Sequence, residues 1–208
     1  MAVVGRFGEL SREDITTAVR RDPSIKRRRE AILYPHVLAL FAHRIAHHLY
    51  GRSHFGAARL VGLLGRFLSG GIDIHPGATL GRRVFIDHGS GVVIGETAMI
   101  GDDVTLYQQV TLGALGWQRD MLRGGSERRH PIVGDGVTIG AKASVLGPVV
   151  IGDGAYIGAH ALVTHNVPAR GRVRAQPADV GSVEVSQNGR DNRAGPGAGD
   201  VSRPLPRE

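Results

Sequence analysis

The 208-residue sequence has no cysteine and a single tryptophan. Without cysteine there is no disulfide, no thiolate-held metal and no cysteine nucleophile, so any covalent chemistry would fall to another residue type. Long apolar runs are missing too. A membrane-spanning helix needs about 18 consecutive apolar residues, and no stretch offers them. The first 30 residues are rich in arginine and lack the apolar centre of a secretory leader, which predicts a cytoplasmic protein.

Acidic residues are scarce only at the start. Residues 1–70 hold 12 Lys and Arg against 5 Asp and Glu, residues 71–180 hold 10 of each, and residues 181–208 hold 4 of each. The net charge of +7 therefore sits wholly in the first segment, much of it in Lys26, Arg27, Arg28 and Arg29. Neither a helix-turn-helix pattern nor interleaved aromatics accompanies that run, so nucleic acid is not the expected partner. Attraction of an anionic cofactor is a simpler use of the charge.

What is present is a six-residue beat across residues 71–180. Ile74, Leu80 and Ile86 keep it, then Ile94, Ile100, Leu106 and Leu112, then Val133, Ile139, Val145, Ile151, Ile157 and Val163. Glycine often follows the aliphatic, as at Gly81, Gly95, Gly101, Gly134, Gly140, Gly152 and Gly158. A period of six fits neither a helix nor a flat alternating strand. It fits a coil of short straight segments, each aliphatic pointing inward and each glycine easing a tight turn. One such unit cannot bury its own apolar side, so stability must come from stacking coil upon coil.

Residues 1–70 read as helical. A helix is predicted over 11–22, with Ser11 as N-cap and its end set by Pro23. A second is expected from about Pro35 to Tyr50, with Val37, Leu38, Phe41, Ile45 and Leu49 as its buried stripe. A third runs from about His54 to Leu68, with Leu60, Leu63, Leu64 and Phe67 as its apolar face. His43 and His47 have the spacing of a metal pair, but no third ligand lies near in sequence, so they read as packing histidines. Residues 113–132 interrupt the coil with a loop containing Trp117, and long loops of that kind are commonly functional or disordered. Residues 181–208, rich in Gly, Pro, Asp and Arg, are predicted to be a disordered tail.

Chemistry is expected at the two breaks in the beat. The first holds Asp87, His88 and Gly89. A histidine on a bulge of a rigid coil is exposed and firmly held, which suits a general base near neutral pH. Asp73 lies fifteen residues earlier, close to the length of one three-sided coil, so stacking would bring its carboxylate beside the imidazole.

The blocks GIDIHPGATLGRRVFIDHGSGVVIGETAMIGDDVTLYQQVTLG and RRHPIVGDGVTIGAKASVLGPVVIGDGAYIGAHALV resemble the serine O-acetyltransferase family. The likeness extends over roughly residues 12–180 and includes VRRDP and HRIAHHLY in the helical segment. It implies a left-handed parallel β-helix behind a small helical segment, the handedness coming from the family because parallel crossovers are ordinarily right-handed. It implies trimers, which pair into hexamers in longer members, with active sites between neighbouring coils. The short first segment favours the trimer here.

The implied reaction moves acetyl from acetyl-CoA to the hydroxyl of L-serine, giving O-acetylserine for cysteine synthesis, with no metal and no covalent enzyme intermediate. By resemblance His88 is the base and Asp73 its partner, Asp22 and Asp87 line the amino-acid pocket, and Arg129 and His130 hold the substrate carboxylate. Backbone N–H groups near Gly113 and Ala114 would face the oxyanion. CoA would run past Ala141 and Ala159, with Lys142 meeting its phosphates.

Four departures stand out: Ala114 in place of a second glycine, a longer 115–128 loop, Gln176-Pro177-Ala178 in place of GVPA, and the ending Pro206-Arg207-Glu208. The last lacks the terminal isoleucine by which many members dock into the next enzyme, O-acetylserine sulfhydrylase, so that complex is not expected. Rival readings are a hexapeptide acetyltransferase for homoserine or a sugar, and a zinc carbonic anhydrase of the same architecture using His75, His88 and His130. A non-catalytic ice-binding solenoid would need a flat ladder of threonines, which Thr79, Thr97, Thr105, Thr111 and Thr138 do not form.

Overall fold

Among the described residues, fourteen strands of two or three residues wind into a three-sided, left-handed parallel β-helix. The computed structural model describes residues 2–116 and 127–176, with side chains from Gly8 onward. Trp117, most of the 115–128 loop, Pro177, Ala178 and the 181–208 tail lie outside the described residues.

The first face stacks Asp73–Ile74, Val93–Ile94, Thr111–Gly113, Ser144–Leu146 and Leu162–Val163. The second stacks Thr79–Leu80, Met99–Ile100, Ile132–Val133 and Val150–Ile151, and the third runs from Phe85–Ile86 through Thr105–Leu106, Thr138–Ile139 and Tyr156–Ile157 to Arg172–Val173. Register records both breaks in the beat. Val93 pairs with Thr111, one regular coil on, whereas Asp73 pairs with Val93, two residues further, because the turn at 87–92 is longer. Thr111 pairs with Ser144, so the long loop leaves and returns without disturbing the stack.

Twelve of the thirteen beat positions are buried, and Leu80 is packed against the core they form. A second set fills the space between them: Ala78, Val84, Val92, Ala98, Val104, Val110, Val137, Ala143, Val149, Ala155 and Ala161, each two residues ahead of a strand aliphatic. Burying each large aliphatic is worth about 1.5–3 kcal/mol, so the stack is the main store of stability.

The beat glycines do something other than the expected easing of turns. Positive φ is taken instead by Arg83, Asp103, Gln109, Lys142, His160 and Arg170. What Gly101, Gly134, Gly140 and Gly152 provide is room, since a Cβ there would collide with the stacked coil. At one edge that room is taken by aspartates. Asp102 Oδ1 accepts the N–H of Arg82, Asp135 Oδ1 that of Asp102, and Asp153 Oδ1 that of Asp135, at 2.7–2.9 Å.

Three helices precede the coil: α1 (Ala2–Arg21), α2 (Pro35–Tyr50) and α3 (Phe55–Leu68). α1 starts well before Ser11, which sits inside the helix and is not its cap. It ends ahead of Asp22-Pro23, where proline disfavours a helical predecessor. Proline opens α2, where its missing N–H costs nothing.

The buried stripe of α2 is rotated from the expected one. It consists of His36, Val37, Ala39, Leu40, His43, Arg44 and Ala46, while Phe41 is 45% exposed. Arg44 explains the rotation, because its guanidinium makes a buried pair of bonds to Asp14 of α1 at 2.8 and 2.9 Å. That side must face α1 rather than solvent. Gly65 of α3 lies against Ala42, where a Cβ would collide, so α2 and α3 cross closely. The predicted apolar face of α3 is formed but uncovered: Leu60, Leu63, Leu64 and Phe67 are 53–83% exposed.

Candidate active site

The turn at 87–92 is the one that carries two extra residues at the edge between the third and first faces. His88 takes φ +58 there, a left-handed conformation that non-glycine residues adopt only at a cost of about 1 kcal/mol. Gly89, also left-handed, lies so close to Ile72 that no Cβ would fit. The loop is thereby locked, and the His88 side chain stands 75% exposed with Nε2 3.9 Å from Asp87 Oδ1.

α1 delivers Asp22 to the same place. Arg21 bonds Thr105 Oγ1 at 2.7 Å and pairs with Asp103 at 3.5 Å, and Arg82 pairs with Glu13, so α1 is moored to the coil by charge. Asp22 Oδ1 accepts the Ser24 N–H at 2.8 Å. Hydrogen bonding from Ser24 holds its carboxyl below the usual range, and His36 and His88 act in the same direction. Asp22 thus lies within electrostatic reach of His88, whose ion-pair neighbour is Asp87.

Asp73 does not join His88 in the expected way. Its carboxylate bonds Arg66 of α3 at 3.1 Å, and the carboxylate beside His88 is that of Asp87. Backbone stacking does bring Asp73 to the right edge, since Asp73 N–H bonds Val92 O at the end of the His88 turn. The side-chain pair itself is not made.

Arg129 and His130 sit at the next edge, between the first and second faces. Arg129 pairs with Glu96, whose other oxygen accepts the Tyr50 hydroxyl at 2.6 Å. The His130 ring is buried over Gly95, where a Cβ would overlap it. Its Nδ1 accepts the Thr97 N–H at 3.2 Å and lies 2.8 Å from Thr97 Oγ1, which places the neutral ring's proton on Nε2. Thr97 Oγ1 also accepts the N–H groups of Arg129 and His130, at 2.9 and 3.1 Å. Arg128 clips this corner to the next coil through the carbonyls of Pro148 and Val149.

Within one chain the two groups lie at opposite ends of the first-face strands, so the cluster at His88 and the pair Arg129–His130 are not brought together. His75 shares the edge of His130 and accepts the Gly77 N–H at 3.0 Å, far from the His88 turn. The three histidines of the carbonic anhydrase reading are thus split between two edges. The His43 and His47 rings lie tilted at 38°, 5.6 Å between centroids, and burial pushes His43 down to about 3.

Of the predicted CoA residues, Ala141, Lys142 and Ala159 follow the His88 edge, whereas Gly113 and Ala114 lie at the edge of Arg129. Lys142 N–H bonds Gln108 O and His160 N–H bonds Ala141 O, both at 2.9 Å, so Gln108, Ala141 and Ala159 stack in successive turns below His88. Gly113 ends a first-face strand, its carbonyl accepting the Gly147 N–H at 2.9 Å. Leu115 packs on Gly147 beyond it.

Sequence reasoning missed Glu96, Thr97 and Tyr50. The first two sit in the GETA stretch, whose acid beside a hydroxyl was the available signal, whereas nothing in the sequence tied Tyr50 to them.

Residues 130–165 match the model for the bacterial transferase hexapeptide (six repeats). The chain is 43% identical over 186 residues to a serine acetyltransferase of Staphylococcus xylosus, covering 89% of this chain and 81% of that one. It is 44% identical over 188 residues to the serine acetyltransferase of Bacillus subtilis (strain 168), covering 90% and 81%. The chain belongs to the serine acetyltransferase family. Among solved structures, serine acetyltransferase isoform 3 of Entamoeba histolytica in complex with cysteine superposes with TM-score 0.74 at 37% identity. The Neisseria gonorrhoeae serine acetyltransferase in complex with serine gives 0.73 at 34%. The match covers 85% of this chain in both cases, but spans 62% of the Entamoeba chain and 69% of the Neisseria chain.

Proposed function

We propose that the protein transfers the acetyl group of acetyl-CoA to the hydroxyl of L-serine, giving O-acetylserine for cysteine synthesis in the cytoplasm. The observation that carries this reading is the His88 bulge, with Asp87 beside it and Asp22 within electrostatic reach, on the edge that also bears Lys142. Serine is a weak nucleophile until its proton is removed during attack. In a ternary complex His88 takes that proton as the serine oxygen adds to the thioester carbonyl. The tetrahedral intermediate collapses, the carbon–sulfur bond breaks, and the proton on His88 passes to the CoA thiolate.

Asp22 and Asp87 attract the serine ammonium, while Arg129 matches a planar carboxylate. Asp73 supports the His88 cation once Arg66 releases it. Amide N–H groups at Gly113–Ala114 face the oxyanion. Ala141 and Ala159 leave a smooth path for CoA, and Lys142 meets its phosphates.

Because one chain separates His88 from Arg129 and His130, the site is completed between copies, the His88 edge of one facing the Arg129 edge of the next. A homotrimer supplies three such junctions, and the uncovered apolar face of α3 supports assembly. Among the described residues no helix is long and apolar enough to cross a membrane.

The test is CoA release from acetyl-CoA with L-serine, L-homoserine, O-phosphoserine, a galactoside or no acceptor. Release that depends on L-serine supports the reading. Release only with another acceptor would keep the His88 chemistry and move acceptor choice to the 115–128 loop.

A further inference from the structure

Arg129 is fixed by its backbone but aimed by its side chain. Its N–H bonds Thr97 Oγ1 at 2.9 Å, whereas its guanidinium pairs with the Glu96 carboxylate. Glu96 is held in turn at its other oxygen, where the Tyr50 hydroxyl donates at 2.6 Å. Both carboxylate oxygens are occupied, so Glu96 cannot rotate without breaking one bond. The ring of Tyr50 is itself held edge-on by Phe55, at 5.0 Å between centroids, and by His75, at 5.8 Å. A residue at the last turn of α2 thus sets the orientation of a guanidinium on the coil.

We propose that Tyr50 is a positioning residue for acceptor recognition, acting through Glu96 to direct the Arg129 guanidinium at the acceptor carboxylate. The inference rests on the reading of Arg129 as the carboxylate ligand. Freed from Tyr50, the Glu96 carboxylate swings, and the long Arg129 side chain follows it through many rotamers that miss the ligand. The Tyr50 bond is also the leading cause that holds the Glu96 carboxyl below its usual range, against a burial effect that raises it. Glu96 therefore stays charged and keeps its grip on Arg129.

Phenylalanine at this position keeps the ring contacts and removes only the hydroxyl. Tyr50→Phe, Arg129→Ala and the double variant are compared as full-length proteins, by initial rates and by calorimetric binding of L-serine, so that inactive variants still report. L-serinamide, whose carboxyl carries no charge, is the control ligand. Loss of a hydrogen bond to a charged group should raise both KM and Kd for L-serine about fivefold in Tyr50→Phe. The kcat, the KM for acetyl-CoA, serinamide binding and Tm should barely move. In the double variant the hydroxyl should add nothing to the loss from Arg129→Ala, as expected for two residues acting through one path.

Unchanged serine binding in Tyr50→Phe beside weakened binding in Arg129→Ala overturns the role of Tyr50 and leaves that of Arg129 intact. Unchanged binding in both variants removes the carboxylate reading, and the inference with it. A full Tyr50→Phe effect on top of Arg129→Ala, or an equal effect on serinamide, shows that Tyr50 acts by some other route and overturns the proposal.

Discussion

The coil and the helical segment ahead of it are built on different principles. The coil interior is aliphatic throughout, from Ile74 to Val167, and every layer repeats the one above. The helices instead bury an Asp14–Arg44 ion pair and two histidines, moor to the coil through Arg21, Glu13 and Arg82, and leave leucines and a phenylalanine facing outward. One part is stable because its units are alike. The other depends on individual charged partners, and it is the part that reaches both candidate edges, with Asp22 at one and Tyr50 at the other. Under the proposed function the coil carries the base and most of the acceptor contacts, and the helices add Asp22 and the Tyr50 bond to Glu96.

The sharpest way to separate those roles is to remove one residue from each. His88→Ala should lower kcat about a thousandfold, within the usual range for a lost general base, with folding and assembly intact. Asp22→Ala should instead raise the KM for L-serine far more than that for acetyl-CoA. Steady-state kinetics with each substrate varied would check both, and an almost fully active His88→Ala variant would sink the mechanism.

A smaller but still large effect should follow from breaking the helical anchor. Asp14→Ala leaves the Arg44 charge buried and unpaired, at a cost of about 3 kcal/mol. Urea denaturation should show the loss, with limited proteolysis cutting first in α1.

Acid should tell the two regions apart as well. Burial pushes His36 down to about 4 and His43 to about 3, below the ordinary 6.5. The unfolded chain therefore binds protons that the folded one refuses, so stability is full above pH 6.5 and falls as the pH drops toward 4. Each histidine should cost about 2 kcal/mol at pH 5. Thermal melts at pH 7 and pH 5 would measure this, and His43→Leu should remove about half of what the two helix histidines contribute.

The smallest change in the folded chain should come from Phe67→Asp. That side chain is 83% exposed, so subunit folding should shift by only about 0.5 kcal/mol. Light scattering should nevertheless show a smaller assembly, with activity falling in parallel under the proposed sharing of the site between copies.

The contrast also explains what could be read in advance. The six-residue beat was legible because thirteen positions obey one rule, and a rule repeated that often leaves its period in the sequence. The second layer of small residues went unread, since Ala and Val are too common to stand out. α2 and α3 were located from apolar spacing, but the buried side of α2 was not, because an ion pair with α1 decides it and spacing ignores charge. Ser11 resembled a cap only while the preceding residues were left out of the helix. At the site, Asp87 stands beside His88, whereas Asp73 turns to Arg66 of α3, a partner that coil spacing does not reveal. Tyr50 and Glu96 stand 46 residues apart, and no local pattern joins them.

The aspartate edge has a direction. Each carboxylate arrives one coil later than the N–H it receives, so Asp102 finds Arg82 waiting, Asp135 finds Asp102 and Asp153 finds Asp135. A coil just added satisfies its predecessor and exposes a fresh donor for its successor. The chain can thus be wound in the order of its synthesis, each turn latching the last. In the following turn Ala169 stacks on Gly152 where an aspartate would stand, so the ladder along this edge ends with Asp153.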